Sequence, residues 1–163
     1  MAGVVFQLIA EGKLSEDGLI TDYVPELKKT GYKGATVRHL LDMRSGVAFD
    51  YRSPGEEGTW PGWARAAGLA RKLPSEPTDE GLYDFMMKSK HIGAQARPHG
   101  SYFYYKESDI QALVWACEKV TGTRYSDVLS QRIWSRLGME HDAYVINDSV
   151  GTAVPGAGMS ATL

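Results

Sequence analysis

One segment near the middle of the chain constrains the fold most. Ser108-Asp109-Ile110-Gln111 matches a capping box, in which a serine caps a helix and a glutamine three residues later returns the hydrogen bond. The apolar residues that follow recur at helical spacing on one face: Ile110, Leu113, Val114 and Cys117. Gly122 suits the end of a helix. We therefore predict a buried helix that Ser108 caps and Gly122 ends.

Five further segments carry helical signals. Three of them have a local signal at one end: residues 1–11 are followed by Gly12, residues 37–43 are preceded by Thr36 as a cap, and residues 61–70 begin with Pro61. The other two are about residues 79–90 and a segment through Val128, Leu129, Ile133 and Trp134 that ends at Gly138. Strand signals are sparse, and only Tyr102–Tyr105 and Asp142–Asn147 favour extended structure. This pattern predicts a mainly α fold with long, structured loops.

Composition and charge exclude several classes of protein. Apolar residues make up 43% and charged residues 23% of the 163 residues, which is ordinary globular composition and not that of a disordered chain. The net charge of −2 lacks the basic excess of a nucleic-acid-binding protein. Apolar runs are far shorter than the roughly 20 residues of a membrane span. The single cysteine, Cys117, forms no internal disulfide and leans towards a cytoplasmic protein.

The sequence gives only weak evidence for a dinucleotide site or a metal site. Gly156–Ala161 resembles a dinucleotide fingerprint, but no strand signal precedes it, so we expect a turn before a helix. The four histidines lack the spacing of metal ligands: His39, His91, His99 and His141. We therefore expect neither a metal nor an organic cofactor.

An aromatic run, Tyr102-Phe103-Tyr104-Tyr105, leads directly into the predicted central helix. A tyrosine one turn ahead of a rigid helix is held in a defined place, as a catalytic group requires. From the physics of the residues alone, packing into the core is nevertheless the favoured interpretation of these tyrosines.

A family resemblance supports the catalytic interpretation. The segment Ala35–Gly46, which ends in Asp-Met-Arg-Ser-Gly, resembles a signature of the β-lactamase-related serine hydrolases, and looks most like their nylon-oligomer (6-aminohexanoate-dimer) hydrolase branch. Class C β-lactamases, DD-peptidases and esterases are other members. Further segments resemble motifs of the family in the family's order: Glu11–Leu14, Asp22–Leu27, Phe103–Tyr105, Val120–Gly122, Leu137–Met139 and Gly156–Thr162.

The resemblance implies hydrolysis of a small amide or ester through an acyl-enzyme. In the family, the serine of a Ser-x-x-Lys motif is the nucleophile, the lysine accepts its proton, and a tyrosine completes the relay. The matching tyrosine here is Tyr105, and Tyr51 matches a substrate-contacting tyrosine of the nylon-oligomer branch. A tyrosine with a pKa near 10 needs cationic neighbours to act as an anion; otherwise it passes protons as a neutral group.

Two departures from the family pattern limit this expectation. Where β-lactamases carry Tyr-x-Asn, the chain reads Tyr105-Lys106-Glu107. A carboxylate cannot donate the hydrogen bond that an asparagine amide offers to a substrate carbonyl, so we expect a substrate other than a β-lactam. In addition, the sequence contains no Ser-x-x-Lys.

These observations lead to one interpretation with two alternatives. We interpret residues 1–163 as a partial β-lactamase-related domain, truncated at both ends: the central helical subdomain of an α/β fold, with most of the antiparallel sheet missing. The whole protein would hydrolyse linear amides or esters, and this part alone would be inactive. The alternatives are a non-catalytic helical binding module that keeps the same shape and a fragment that does not fold.

Overall fold

The computed structural model describes residues 1–51, 58–77, 79–89 and 92–162. These residues form mostly helices and a small two-stranded sheet. The elements are α1 (Ala2–Ala10), α2 (Ile20–Tyr23), α3 (Val37–Leu41), α4 (Thr59–Ala66), α5 (Leu82–Lys88), α6 (Glu107–Thr121), α7 (Tyr125–Arg132), β1 (Tyr144–Val145) and β2 (Met159–Ser160), with 3-10 turns at Pro25–Lys29 and Trp134–Arg136. The predicted mainly helical character is confirmed.

Helix α6 lies at the centre of the molecule, and helices α1, α2, α3 and α7 pack around it. Its first three turns are buried on nearly every side, including Leu113, Val114 and Cys117. The Cys117 thiol is free and fully buried, as expected of a small core residue. Gly122 ends the helix in the left-handed conformation, with a φ of 66°. The predicted central helix and its end are therefore confirmed.

The predicted start of this helix is wrong. Helix α6 begins at Glu107 with Lys106 in the N-cap position, so Ser108 lies inside the first turn. The Ser108 Oγ atom is buried and has no hydrogen-bond partner in the described chain. Lys106 and Asp109 instead form a buried ion pair across this turn, with Nζ and Oδ2 3.1 Å apart. That pair lies in the turn where we expected the capping box.

Local capping signals predict other helix ends well. The Thr36 hydroxyl accepts a hydrogen bond from the His39 backbone N–H, and the Thr36 N–H donates to the His39 ring. This reciprocal cap starts α3 as predicted. Helix α1 ends before Gly12, whose φ of 72° suits a left-handed glycine.

The boundaries of α4, α5 and α7 differ from the predicted segments. Helix α4 begins two residues ahead of Pro61, after an extended Gly58. Helix α5 is shorter than the predicted 79–90, part of which lies outside the described residues. Helix α7 ends at Arg132 and gives way to the 3-10 turn before Gly138.

The small sheet corrects two further expectations. Strands β1 and β2 pair antiparallel, with Tyr144 opposite Ser160, and β1 lies within the predicted segment 142–147. Residues 155–157 form the expected turn, but strand β2 follows it where we expected a helix to begin. Tyr102–Tyr105, predicted as an extended piece, forms no strand within the described part of the chain.

One apolar core joins the helices. Trp63 is fully buried and Trp115 nearly so, while Trp60 is half-buried against the same core, which supports core packing for these rings. Of the helices in the described ranges, none combines the length and apolar character needed to cross a bilayer.

Candidate active site

The aromatic segment Tyr102–Tyr105 lies on the surface at the entry to α6. Its four side chains expose 53, 61, 39 and 45% of their area in chain order. The favoured interpretation of these tyrosines as core residues is therefore wrong. The physical reason is that the backbone holds the segment in place: the Tyr104 N–H donates to the Met43 carbonyl at 2.9 Å, so the rings need no burial to be ordered.

Tyr105 presents a half-exposed phenol beside an acidic neighbour. Partial burial raises its pKa above the ordinary value, and the Glu107 carboxylate raises it further. The phenol is therefore protonated at neutral pH. The charged group that acts on this phenol is a carboxylate, which disfavours its ionised form.

Tyr51 contacts the segment that carries Tyr105. Its hydroxyl lies 2.6 Å from the Glu107 Oε2 atom, to which it donates, and 3.1 Å from the Tyr105 carbonyl oxygen. Burial, followed by the Glu107 carboxylate, raises the pKa of Tyr51 well above its ordinary value. The structure thus brings together the two tyrosines singled out in the sequence, which lie 54 residues apart.

Other aromatic rings surround Tyr51. Its ring centroid lies 5.1 Å from that of Phe49, 5.7 Å from Trp60 and 6.2 Å from Tyr104. Aromatic pairs at such separations attract one another beyond the area they bury. These contacts hold Tyr51 on the same surface as Tyr105, although 41% of its side chain is exposed.

A buried polar cluster lies beneath this surface, centred on Asp109. The hydroxyls of Ser45 and Tyr32 donate to Asp109 Oδ1 at 2.7 and 2.9 Å, and the Lys106 ammonium faces Oδ2. All four side chains are at most 1% exposed. Burial raises the pKa of Asp109, while Lys106 and the two hydroxyl donors oppose that effect. The cluster joins Tyr32 and the loop after α3 to the first turn of α6.

Two of the four histidines, His39 and His99, pack against each other. The rings of His39 and His99 stack with centroids 5.9 Å apart, and His99 Nδ1 contacts the Ser45 carbonyl oxygen. His141 is exposed, and His91 lies outside the described residues. In the part of the chain that the structure describes, no three metal-binding side chains come together.

Comparison with known proteins settles the family. The β-lactamase family model matches residues 1–155. The chain belongs to the β-lactamase family. The curated 6-aminohexanoate-dimer hydrolase of Paenarthrobacter ureafaciens is 32% identical to it over 161 residues, which are 98% of this chain and 39% of that protein.

Solved structures agree with this β-lactamase-family assignment. A putative 6-aminohexanoate-dimer hydrolase from Bacillus anthracis superposes with a TM-score of 0.81 and 26% identity, over 96% of this chain and 40% of that one. A penicillin-binding protein from Bacillus halodurans shares the fold, with a TM-score of 0.61 at 23% identity over 85% and 39% of the two chains. The β-lactamase-family chain thus spans about 40% of the length of these relatives.

The sequence alone does not reveal two contacts beside the candidate site. Glu107 departs from Tyr-x-Asn, but no local pattern indicates its contact with Tyr51. Asp109 falls within the capping-box pattern, although its place one turn after Tyr105 is compatible with a buried anchor. Both contacts join parts of the chain that lie more than 50 residues apart, so a local pattern cannot reveal them.

Proposed function

We propose that this chain is the helical subdomain of a serine hydrolase that cleaves a linear amide or ester through an acyl-enzyme. The observation that carries the proposal is the contact between Tyr51 and the Tyr105 segment at the entry to α6. It occurs in a chain that is 32% identical to a 6-aminohexanoate-dimer hydrolase over 98% of its length. Residues 1–163 would form one partial domain, whose sheet and nucleophile belong to the rest of the fold.

In this proposal Tyr105 relays a proton as a neutral phenol. A serine hydroxyl attacks an amide or ester carbonyl only when an adjacent base takes its proton, and in the family a lysine does so. The proton must then reach the leaving amine or alcohol. Tyr105 suits this step because its half-exposed hydroxyl can donate one proton and accept another, and its raised pKa keeps it neutral.

Tyr51 and Glu107 would define the substrate side of the site. The Tyr51 hydroxyl is held by Glu107 at 2.6 Å, which leaves its oxygen lone pairs and ring edge to contact a substrate. The Glu107 side chain offers only acceptors when ionised, so a substrate carbonyl receives no hydrogen bond from it. We therefore expect linear amides or esters to be preferred over β-lactams.

A chimeric enzyme tests the proposal. In it, the chain replaces the segment of the Paenarthrobacter ureafaciens relative that it matches over 161 residues, and we expect the remainder of that protein to supply the family's Ser-x-x-Lys. We expect the chimera to hydrolyse 6-aminohexanoate dimer and to react at one serine with a fluorophosphonate. Tyr105→Phe should lower kcat by about 10²–10⁴-fold, the usual contribution of general acid–base catalysis.

The controls separate folding from chemistry. Tyr144→Phe alters the most exposed tyrosine, at 77%, and should leave kcat unchanged. The chain alone should show no stoichiometric fluorophosphonate labelling, because it lacks the nucleophile motif. Labelling of the chain alone at a single serine, or a folded chimera in which Tyr105→Phe retains full kcat, would defeat the proposal.

A further inference from the structure

A cavity of about 270 Å³ lies on the face of the molecule that α7 and the two-stranded sheet form. None of its described lining residues belongs to the candidate active site or to the buried cluster around Asp109. Its walls come from α7, the 3-10 turn after it, the segment that leads into β1, and β2. The residues that define its character are Leu129, Trp134, Asp142, Val145 and Met159.

The charge of this cavity is negative. Its described lining carries one carboxylate, that of Asp142, and neither a lysine nor an arginine. Asp142 is exposed, and it takes part in none of the ion pairs found among the described residues. The charge of Asp142 is therefore uncompensated within the described lining, and a cationic ligand complements it.

Trp134 forms an aromatic wall beside this carboxylate. Its indole N–H donates to the carbonyl oxygen of His141, the residue directly before Asp142, at 3.0 Å. Because the N–H lies in the plane of the ring, this bond holds the indole by its edge and leaves both π faces free of that contact. Tryptophan is the best aromatic partner for a cation, which its π face attracts. The hydrogen bond thus keeps an anion and a cation-binding ring in the same wall.

The rest of the wall is largely apolar. Leu129 and Val145 are half-buried, and Met159 exposes 41% of its side chain. The volume far exceeds the roughly 30 Å³ share of one water molecule and lies just below the roughly 300–1,000 Å³ of sites for drug-sized ligands. One carboxylate among apolar side chains suits a small organic cation better than a metal ion, which needs several oxygen ligands.

We propose that this cavity binds a small organic cation of the quaternary ammonium type. The Trp134 ring and the Asp142 carboxylate attract the charged head, and Leu129, Val145 and Met159 contact its methyl groups. Aromatic side chains are the usual partners of quaternary ammonium groups in proteins. Binding here involves no bond cleavage and no residue of the candidate active site, so the inference goes beyond the proposed hydrolase function.

Titration of the ¹⁵N-labelled full chain by NMR tests the inference. The probes are choline and 3,3-dimethyl-1-butanol at matched ionic strength, which share one shape and differ in the charge of the head. We expect choline to shift the backbone amide signals of Leu129, Ala143 and Val145 in a saturable way. The uncharged alcohol should bind at least about threefold more weakly, because it lacks the attraction to the ring and the carboxylate.

Two variants and a matched control identify the groups responsible. Asp142→Asn removes the charge at an exposed position and should weaken choline binding about threefold. Trp134→Leu removes the aromatic wall and should weaken it about fivefold. Asp17→Asn alters another exposed aspartate outside this lining and should leave choline binding unchanged.

The amide signals of two fully buried core residues, Val4 and Leu113, show whether each variant keeps the parent fold. Equal affinity for choline and the alcohol would overturn the inference, as would unchanged choline affinity in Asp142→Asn. Both results are independent of the chimera experiment, because that experiment measures turnover at a different surface.

Discussion

Asp109 joins three separate parts of the chain through one buried carboxylate. Its hydrogen-bond donors, Ser45 and Tyr32, lie 64 and 77 residues away in sequence, and Lys106 lies in the segment that leads from Tyr105. A buried ion pair is weak evidence for stability, because desolvation offsets its attraction, but the loss of one partner leaves the other charge uncompensated. Substitution of a single residue of this pair should therefore destabilise the region around the candidate site.

Asp109→Asn should destabilise the protein strongly. The substitution leaves the Lys106 ammonium buried without a counter-charge, so the free energy of unfolding should fall by about 3–5 kcal/mol. Urea denaturation at pH 7 measures the change.

A matched pair of variants identifies the cause of that loss. Asp17→Asn, at an exposed position, should change the free energy of unfolding by less than about 0.5 kcal/mol. The double variant Lys106→Met/Asp109→Asn should be more stable than Asp109→Asn, because it removes the uncompensated ammonium while the amide oxygen can still accept from Ser45 and Tyr32. If Asp109→Asn were as stable as Asp17→Asn, the cluster would not anchor the site.

At the scale of elements, the loop after α3 holds the segment that follows residue 94. The Gly46 carbonyl accepts hydrogen bonds from the N–H groups of Ala96 and Arg97 at 2.9 and 3.1 Å. Gly46 has a φ of 69°, and a Cβ placed there would lie 2.2 Å from the Arg97 carbonyl oxygen. Only glycine permits this close approach of the two backbones.

Gly46→Ala should cost more stability than Gly122→Ala. Both positions have a positive φ, which costs an alanine about 1–2 kcal/mol. A Cβ at Gly122 meets nothing within 4 Å, whereas at Gly46 it meets the Arg97 backbone. Overlap there should add about 1–3 kcal/mol. Chemical denaturation of the two variants gives the difference, and equal losses would contradict the structural explanation.

The ends of α3 and α6 show which structural features local sequence patterns can predict. Helical spacing and local caps, such as Thr36 and Gly122, were sufficient to locate α3 and the end of α6. The start of α6 differs from the Ser108 signal in a turn where Asp109 binds Ser45 and Tyr32, which lie 64 and 77 residues away and are invisible to a local pattern. The surface position of Tyr105 likewise depends on a long-range contact of its neighbour. The Tyr104 N–H donates to the carbonyl of Met43, which lies 61 residues earlier, so no short sequence pattern contains this hydrogen bond.

At the scale of the whole molecule, the core contains several groups that ionise only with difficulty. Burial raises the pKa of Cys117 to about 12, and it raises the pKa values of Tyr83 and Tyr125 above the ordinary tyrosine range. The unfolded chain releases these protons near pH 8.5 for cysteine and pH 10 for tyrosine. In that range the folded protein therefore binds more protons than the unfolded chain.

The free energy of unfolding should consequently fall as the pH rises from about 8.5 towards 12. Each group that ionises only in the unfolded chain contributes a slope of about 1.4 kcal/mol per pH unit. Urea denaturation at a series of pH values measures that slope. Tyr125→Phe should reduce it above pH 10, whereas Tyr144→Phe, at an exposed position, should not. A free energy of unfolding that is constant up to pH 11 would refute this prediction.

Tyr125→Phe has a second consequence at neutral pH. The Tyr125 hydroxyl is buried without a hydrogen-bond partner in the described chain. Its removal relieves an unsatisfied polar group, so the variant should be at least as stable as the parent at pH 7.

The contact between Tyr51 and Trp60, with ring centroids 5.7 Å apart, places one of the chain's four tryptophans beside the candidate site. Tyrosine excited at that separation passes its energy to tryptophan, and the emission of a half-buried indole responds to the polarity around it. A ligand that moves the Tyr51 ring therefore changes the light emitted by Trp60. The difference in emission between the parent and Trp60→Phe should accordingly follow occupancy of this surface in the unlabelled protein, without turnover.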